Sequence, residues 1–140
     1  MAAKIVTALL ALLSGSRVAH ADAQFRPGQK WGYHTRPGDE GSTLIILKIE
    51  ELPKLGVVVH IAVDGARFRS RNGAPTPIGH LPFARAAVAA SVTKLLADKV
   101  SIPDFADGYA RWKADHGGIW AGSVAETIAA LDAAASGAAR

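Results

Sequence analysis

Cysteine is absent from the 140 residues of this chain. Its absence excludes thiol nucleophiles, CxxC redox chemistry, zinc sites built on cysteine, and a lipid anchor attached to cysteine. The chain also contains no GxSxG, no GxxxxGK[ST] and no HExxH motif. Its longest apolar run falls short of the roughly 20 residues that a membrane-spanning helix needs. Motifs therefore predict no catalytic residue, cofactor or metal, and the fold must be held together by packing.

The first residues have the layout of a secretory signal peptide. Lys4 precedes an apolar run over residues 5–13, and polar residues with two small-x-small sites follow. We expect cleavage after Ala21, or alternatively after Ala23. The sequence thus predicts an exported, periplasmic protein with no stable membrane anchor after cleavage.

The charge of the remaining chain is nearly balanced. The full chain carries 16 basic and 12 acidic side chains, a net charge of +4. Loss of the predicted signal peptide, residues 1–21, removes Lys4 and Arg17 but no acidic residue, so the net charge falls to +2. A nucleic-acid partner usually requires a concentrated basic face, and we expect none. Residues 22–140 fit one domain, with its core over about residues 25–132.

The first half of this domain predicts an antiparallel meander. Three strands, separated by turns rich in glycine and proline, are predicted over residues 30–36, 43–51 and 57–71. Alternation places Trp31 and Tyr33 on the buried face of the first strand. The third strand is apolar on both faces except for His60, which predicts a central position in the sheet.

The second half predicts helices. Pro82 suits a helix start, and apolar residues recur at helical spacing over residues 88–96. Asp104 is the expected N-cap of a second helix. Ser123 and Glu126 have the spacing of a capping box ahead of a third. Strands followed by helices predict an α+β fold, with a meander of three or slightly more strands and about three helices on one face.

Two candidate residues lie on the outer face of the first strand. His34 and Arg36 share that face beside Asp39 and Glu40, and could together bind an anion. The alternative is that Arg36 pairs with Asp39 or Glu40 across the turn while His34 is solvated, since such surface ion pairs are common.

Further candidates lie around the end of the third strand. Arg67, Arg69 and Arg71 alternate there and predict a basic ladder for a phosphate or an acidic partner, or else a charged edge strand. His80 precedes Pro82 at the predicted helix start, where an anion would be favoured, unless it only flanks a hydrophobic staple. The predicted ligand-binding residues are His34, Arg36, Arg67, Arg69 and His80.

His60 and the aromatic residues complete the candidates. Asp64 shares the face of His60 but lies roughly 13 Å along the strand, so only a neighbouring strand could complete a site. We expect His60 to be hydrogen bonded beneath the helices. The aromatic residues of the second half are Phe105, Tyr109, Trp112 and Trp120. The helical spacing of the first three predicts core packing. The alternative is a ligand groove lined by Trp112 or Trp120 with nearby Arg111 and Lys113.

The pattern GQxWxYxTRPGxExSxLxIxKIE over residues 28–50, followed by VHIxVDG and GYxxWK, resembles a family of small uncharacterised bacterial proteins. The resemblance runs from about Phe25 to Leu131. It implies one domain behind the leader, and it implies no activity, cofactor or site residue.

These observations support a small exported binding or accessory protein for an unknown protein or small anionic ligand, with no catalytic activity of its own. The alternative is a small enzyme or anion-binding protein that uses His34, Arg36, His60 and His80. Two of these histidines within hydrogen-bond reach at a shared pocket would favour the alternative. A third interpretation is a structural component of the cell envelope.

Overall fold

A computed structural model of the chain describes residues 24–138. The predicted signal peptide and both predicted cleavage sites lie outside the described residues. Within the described range, no helix has both the length and the apolar character needed to cross a membrane.

Five strands form one antiparallel sheet in the order β4-β3-β2-β1-β5. The strands are β1 Lys30–Tyr33, β2 Thr43–Leu52, β3 Gly56–Phe68, β4 Ala74–Ala84 and β5 Val92–Ala97. The helices are α1 Arg85–Ser91, α2 Ala106–Ala114 and α3 Val124–Ala138, and a 3-10 turn spans Arg69–Arg71. The predicted α+β class and antiparallel meander are confirmed, and β4 and β5 extend the meander on either side.

The first three strands follow the alternation of their sequences. Trp31 and Tyr33 are buried on the core face of β1, as predicted. Every residue of β3 over 58–63 is buried, because both faces of this strand are covered. β3 is therefore an interior strand, although β2 occupies the middle of the sheet.

The helix predicted over residues 82–96 is confirmed only over Arg85–Ser91, and it is wrong on either side. Pro82 lies in β4, which is an edge strand and therefore tolerates residues that lack an N–H group. The alanine-rich stretch that follows forms only the short α1, and the chain then turns back as β5. Register pairs Trp31 with Leu95 and Tyr33 with Val92, so β5 is held by a strand some 60 residues away in sequence.

Helices cover both faces of the sheet. α1 and α3 pack on the main core, whose members include Val59, Ile61, Val88, Val124 and Ile128. The predicted capping box begins α3, since the N–H of Glu126 donates to Ser123 Oγ at 3.0 Å. α2 lies over the opposite face, above His60, so the three helices do not share one face as expected.

Candidate functional site

His60 is completely buried in β3, on the face covered by α2. Its register partners are Lys48 on β2 and Pro82 on β4. Glu50 and His80 each lie two residues from one of these partners, so both are diagonal neighbours of His60 on the same face. Strand pairing therefore places an acid on one side of His60 and a second imidazole on the other.

The three side chains form one hydrogen-bonded series, the Glu50–His60–His80 chain. His60 Nε2 lies 2.8 Å from Glu50 Oε2, and His60 Nδ1 lies 2.8 Å from His80 Nε2. The hydroxyl of Tyr109 donates to both oxygens of Glu50, at 2.9 and 3.1 Å. The buried imidazole is thus satisfied at both nitrogens, as expected of a polar group without access to water.

Burial and hydrogen bonding decide which members of the chain are charged. Burial lowers the pKa of His60, although Glu50 opposes the shift. Burial, and then the charge of a protonated His60, lower the pKa of His80 to about 4. Burial alone would raise the pKa of Glu50, but hydrogen bonds from Tyr109 and His60 bring it below its ordinary value. At neutral pH the chain therefore contains one carboxylate and two neutral imidazoles.

These charges give the chain a direction. An ionised carboxylate only accepts hydrogen bonds, so the proton of neutral His60 is on Nε2 and its Nδ1 accepts from His80 Nε2–H. Nδ1 of neutral His80 is then unprotonated. Within residues 24–138 this atom has no hydrogen-bond partner, and it is not completely buried, because every buried side-chain nitrogen and oxygen there is paired. The Glu50–His60–His80 chain therefore ends at the lone pair of His80 Nδ1, which no hydrogen bond occupies.

Aromatic side chains of α2 enclose both imidazoles. The ring centroids of Tyr109 and Trp112 lie 5.2 and 4.9 Å from that of His60. Phe105 lies nearly parallel to His80, with 6.4 Å between their ring centroids. The helix is observed, but its N-cap is Phe105 and not Asp104 as predicted. Its aromatic residues are half-buried rather than part of the main core. Their role is to shield the histidines from water.

The accessible end of the chain borders a groove of about 510 Å³, the His80 groove. Its lining includes His80, Pro82, Gly108, Arg111, Trp112, Trp120 and Leu131, and no acidic residue. Gly108 permits the close approach of α2, since an added Cβ atom would lie 3.1 Å from His80 Cβ. Arg111 forms no ion pair within the described part of the chain. The groove therefore combines a free cation with aromatic walls.

A second groove, the hairpin groove, lies on the other side of Trp112 and has a volume of about 490 Å³. It is lined by the β2–β3 turn and the end of α2, and its polar side chains are Lys54, Lys113 and His116. It shares Trp112 and Gly118 with the His80 groove and likewise has no acidic lining residue. Both sides of α2 thus favour anions.

Arg36 is held by two buried carboxylates. Its Nε lies 2.6 Å from Asp39 and its Nη1 lies 3.0 Å from Asp132 of α3. The pairing of Arg36 with Asp39 across the turn, one of the two alternatives from the sequence, is confirmed. His34 is exposed and lies outside the Glu50–His60–His80 chain. The structure therefore brings together His60 and His80, and not the four residues of the enzyme alternative.

The predicted basic ladder on the third strand is wrong. β3 ends at Phe68, and Arg69–Arg71 form the 3-10 turn, so strand alternation stops there. Arg67 Nη1 donates to the Gly73 carbonyl at 3.0 Å, and the Arg69 N–H donates to Asp132 at 3.0 Å. β3 also pairs on both sides, so these arginines protect no edge.

Arg36, Arg67 and Arg69 border a third cavity, of about 430 Å³, which Asp39 and Asp132 also line. The two carboxylates offset most of the positive charge there. Ligand binding at this cavity stays a prediction. The placement of His80 at a helix N-terminus is wrong, because His80 lies within β4.

Sequence reasoning missed Glu50 and Tyr109 as site residues. Arg111 was named only as a neighbour of the alternative ligand groove at Trp112 or Trp120, and Arg111, Trp112 and Trp120 all line the His80 groove. Glu50 has the parity of Lys48 in β2, and the short turn after Leu52 fixes the register of the hairpin, which places Glu50 diagonal to His60. The register of this hairpin was therefore the signal in the sequence that could have identified Glu50. No comparable local signal identifies Tyr109 as a partner of Glu50, because the position of Tyr109 depends on how α2 crosses the sheet.

Within the described residues, no group of three or more histidine, cysteine, aspartate or glutamate side chains is arranged to hold a metal ion. The resemblance to a family of small uncharacterised bacterial proteins stays a prediction. Comparison with protein-family models, curated proteins and solved structures finds no match to this chain.

Proposed function

We propose that this protein binds a small anionic, amphipathic ligand in the His80 groove. The observation that supports the proposal is the lining of the groove, where Arg111 and His80 accompany Trp112 and Trp120 without any acidic residue. A guanidinium group binds carboxylate or phosphate through two parallel hydrogen bonds. Aromatic walls bury an apolar body, and a few polar groups orient it.

The proposal assigns a role to each end of the ligand. The anionic group pairs with Arg111, whose charge is not offset by an ion pair with any side chain of residues 24–138. A hydroxyl or N–H group donates to His80 Nδ1, which can only accept while the Glu50–His60–His80 chain keeps its polarity. A flat or aliphatic body between these groups packs on Trp120, which is 37% exposed. A volume of about 510 Å³ suits a ligand of one or two rings.

This proposal retains the binding role and the anionic ligand expected from the sequence, but it moves the site away from Arg36. The guanidinium of Arg36 is already paired with Asp39 and Asp132, so an incoming anion would have to displace a buried carboxylate. Together with the predicted signal peptide, it describes a periplasmic ligand-binding protein. N-terminal sequencing of the protein from periplasmic extract should then begin at Asp22 or Gln24.

Isothermal titration calorimetry with 6-hydroxy-2-naphthoate tests the proposal. This probe carries a carboxylate for Arg111, a hydroxyl for His80 and two fused rings. We expect the neutral 6-hydroxy-2-naphthamide to bind about tenfold more weakly, a loss of ~1.4 kcal/mol, because it lacks the ion pair. Arg111→Gln should remove this preference, whereas Arg71→Gln, at an exposed arginine outside the groove, should keep it. Equal affinity for the two probes would refute the proposal.

A further inference from the structure

Three features of the Glu50–His60–His80 chain are not needed for ligand binding alone. It is anchored by a carboxylate that two hydrogen bonds hold in its ionised form, from His60 and Tyr109. It passes through a fully buried imidazole, so water cannot compete for its inner bonds. It ends at a nitrogen that is free to take a proton, on the wall of a groove. A carboxylate that fixes the tautomer of a base is the arrangement used in general-base catalysis.

We propose that His80 is a general base that hydrolyses aryl esters bound in the His80 groove, with Glu50 and His60 as the residues that position and polarise it. This inference rests on the proposed function, since the groove must first hold the anionic end of the ester. His80 is the catalytic residue, because it alone reaches the groove. Glu50 and His60 act through it.

The reaction needs only water and the ester. His80 Nδ1 removes a proton from water as the water oxygen forms a bond to the carbonyl carbon, and the carbonyl electron pair moves to oxygen. The tetrahedral intermediate then expels the aryl oxygen, and the C–O bond breaks. The proton passes from His80 Nδ1 to that oxygen, giving a carboxylic acid and a phenol. While His80 carries the proton, its positive charge is attracted through His60 to the carboxylate of Glu50, which offsets part of the unfavourable effect of burial.

The environment of His80 favours esters with a good leaving group. Burial and the neighbouring His60 lower the pKa of His80 to about 4. Neutral His80 is therefore a weak base that activates water only modestly, so the ester must have a leaving group that departs easily. A Cβ atom added at Gly108 would lie 3.1 Å from His80 Cβ and 3.7 Å from His80 Nδ1, so glycine at this position keeps space beside that nitrogen. The charged groups that face the chain are Lys48 on β2 and Lys113 on α2, and Arg111 lines the groove beside it.

Hydrolysis of 6-acetoxy-2-naphthoate, followed by the fluorescence of released 6-hydroxy-2-naphthoate, tests the inference. We expect His80→Asn to lower kcat about 100-fold or more. Glu50→Gln should lower kcat at least about tenfold while KM changes little, since it removes the charge but not the groove. His34→Asn, at an exposed histidine outside the chain, should match the unaltered protein. A role in folding alone would not give this separation of kcat from KM.

The pH profile supplies a second criterion. The rate should be constant above about pH 6 and fall as the pH is lowered toward the pKa of His80. Tyr109→Phe removes one hydrogen bond to Glu50, raises the pKa of that carboxyl, and should move the acidic limb to higher pH even if Glu50→Gln fails to fold. Circular dichroism confirms the fold of each variant.

The outcomes separate the two proposals. If the protein binds 6-hydroxy-2-naphthoate but hydrolyses the ester no faster than its His80→Asn variant, the general base is refuted and ligand binding stands. If 6-hydroxy-2-naphthoate does not bind, both proposals are refuted. Hydrolysis that depends on His80 and Glu50 but not on His34 supports the general base.

Discussion

Lowering the pH from 7 to 5 should destabilise this fold, because it holds two histidines in their neutral form. The pKa of His60 and the pKa of His80 are both lower in the folded protein than the ordinary value of 6.5. Below pH 6.5 the unfolded chain therefore binds more protons than the folded chain, and stability is lost as the pH falls. The loss continues until the pH approaches the folded pKa of His80, about 4.

The size of the effect follows from His80. A pKa of about 4 against 6.5 corresponds to about 2 kcal/mol between pH 7 and pH 5, and half-burial of the side chain reduces this to about 1–2 kcal/mol. His60 changes stability in the same direction. A loss of this size lowers the melting temperature of a domain of this length by about 5 °C or more. The pKa of Glu50 and the pKa of Asp132 are lowered too, but their contributions are lost only below 4.5 and 3.8.

Calorimetric melting curves at pH 7 and pH 5 measure this loss. His80→Asn removes one of the two titrating groups from both states and should shrink the loss, whereas His34→Asn, outside the chain, should retain it. A melting temperature that rises between pH 7 and pH 5 would refute the assignment of two neutral histidines. So would a His80→Asn variant that loses as much stability as the unaltered protein.

Two further predictions concern the packing around the grooves. Asp132→Asn should reduce the free energy of unfolding in urea by about 2–4 kcal/mol, because it breaks a buried ion pair with Arg36, while Asp98→Asn, in an exposed pair, should cost below about 1 kcal/mol. Similar losses for the two variants would contradict this. Gly108→Ala should weaken 6-hydroxy-2-naphthoate binding about tenfold by pushing α2 off the sheet, whereas Gly41→Ala, with open space around it, should not. Unchanged affinity in the first variant would show that α2 adapts.

Local sequence patterns predicted the elements whose stability is local. Trp31 and Tyr33 alternate onto the core face of β1, and Ser123 caps α3, because both signals lie within a few residues of the chain. β4 was missed because its prolines argue against a strand, and only its position at the edge of the sheet permits them. The residues of β5 were assigned to a predicted helix because the partner strand, β1, is distant in sequence.

The site was predictable only in part, for the same reason. The sequence indicated that His60 is buried and that a neighbouring strand would have to complete any site around it. Which residues do so depends on the pairing of β3 with both β2 and β4, which brings Glu50 and His80 to His60. Arg36 and Arg67 were predicted as binding residues because charged side chains can be recognised in a sequence. The sequence does not show that Arg36 pairs with Asp132, because Asp132 is 96 residues away.

The central claim is that the Glu50–His60–His80 chain is polarised toward the groove, and the imidazole nitrogens report this directly. A long-range ¹H–¹⁵N NMR spectrum at pH 7 distinguishes protonated from unprotonated nitrogens in each ring. The structure predicts a proton on Nε2 and a lone pair on Nδ1 for both His60 and His80, with a shift of His80 Nδ1 on addition of 6-hydroxy-2-naphthoate. A proton on Nδ1 of either residue at pH 7, or an insensitive His80 Nδ1 in the presence of bound ligand, would contradict it.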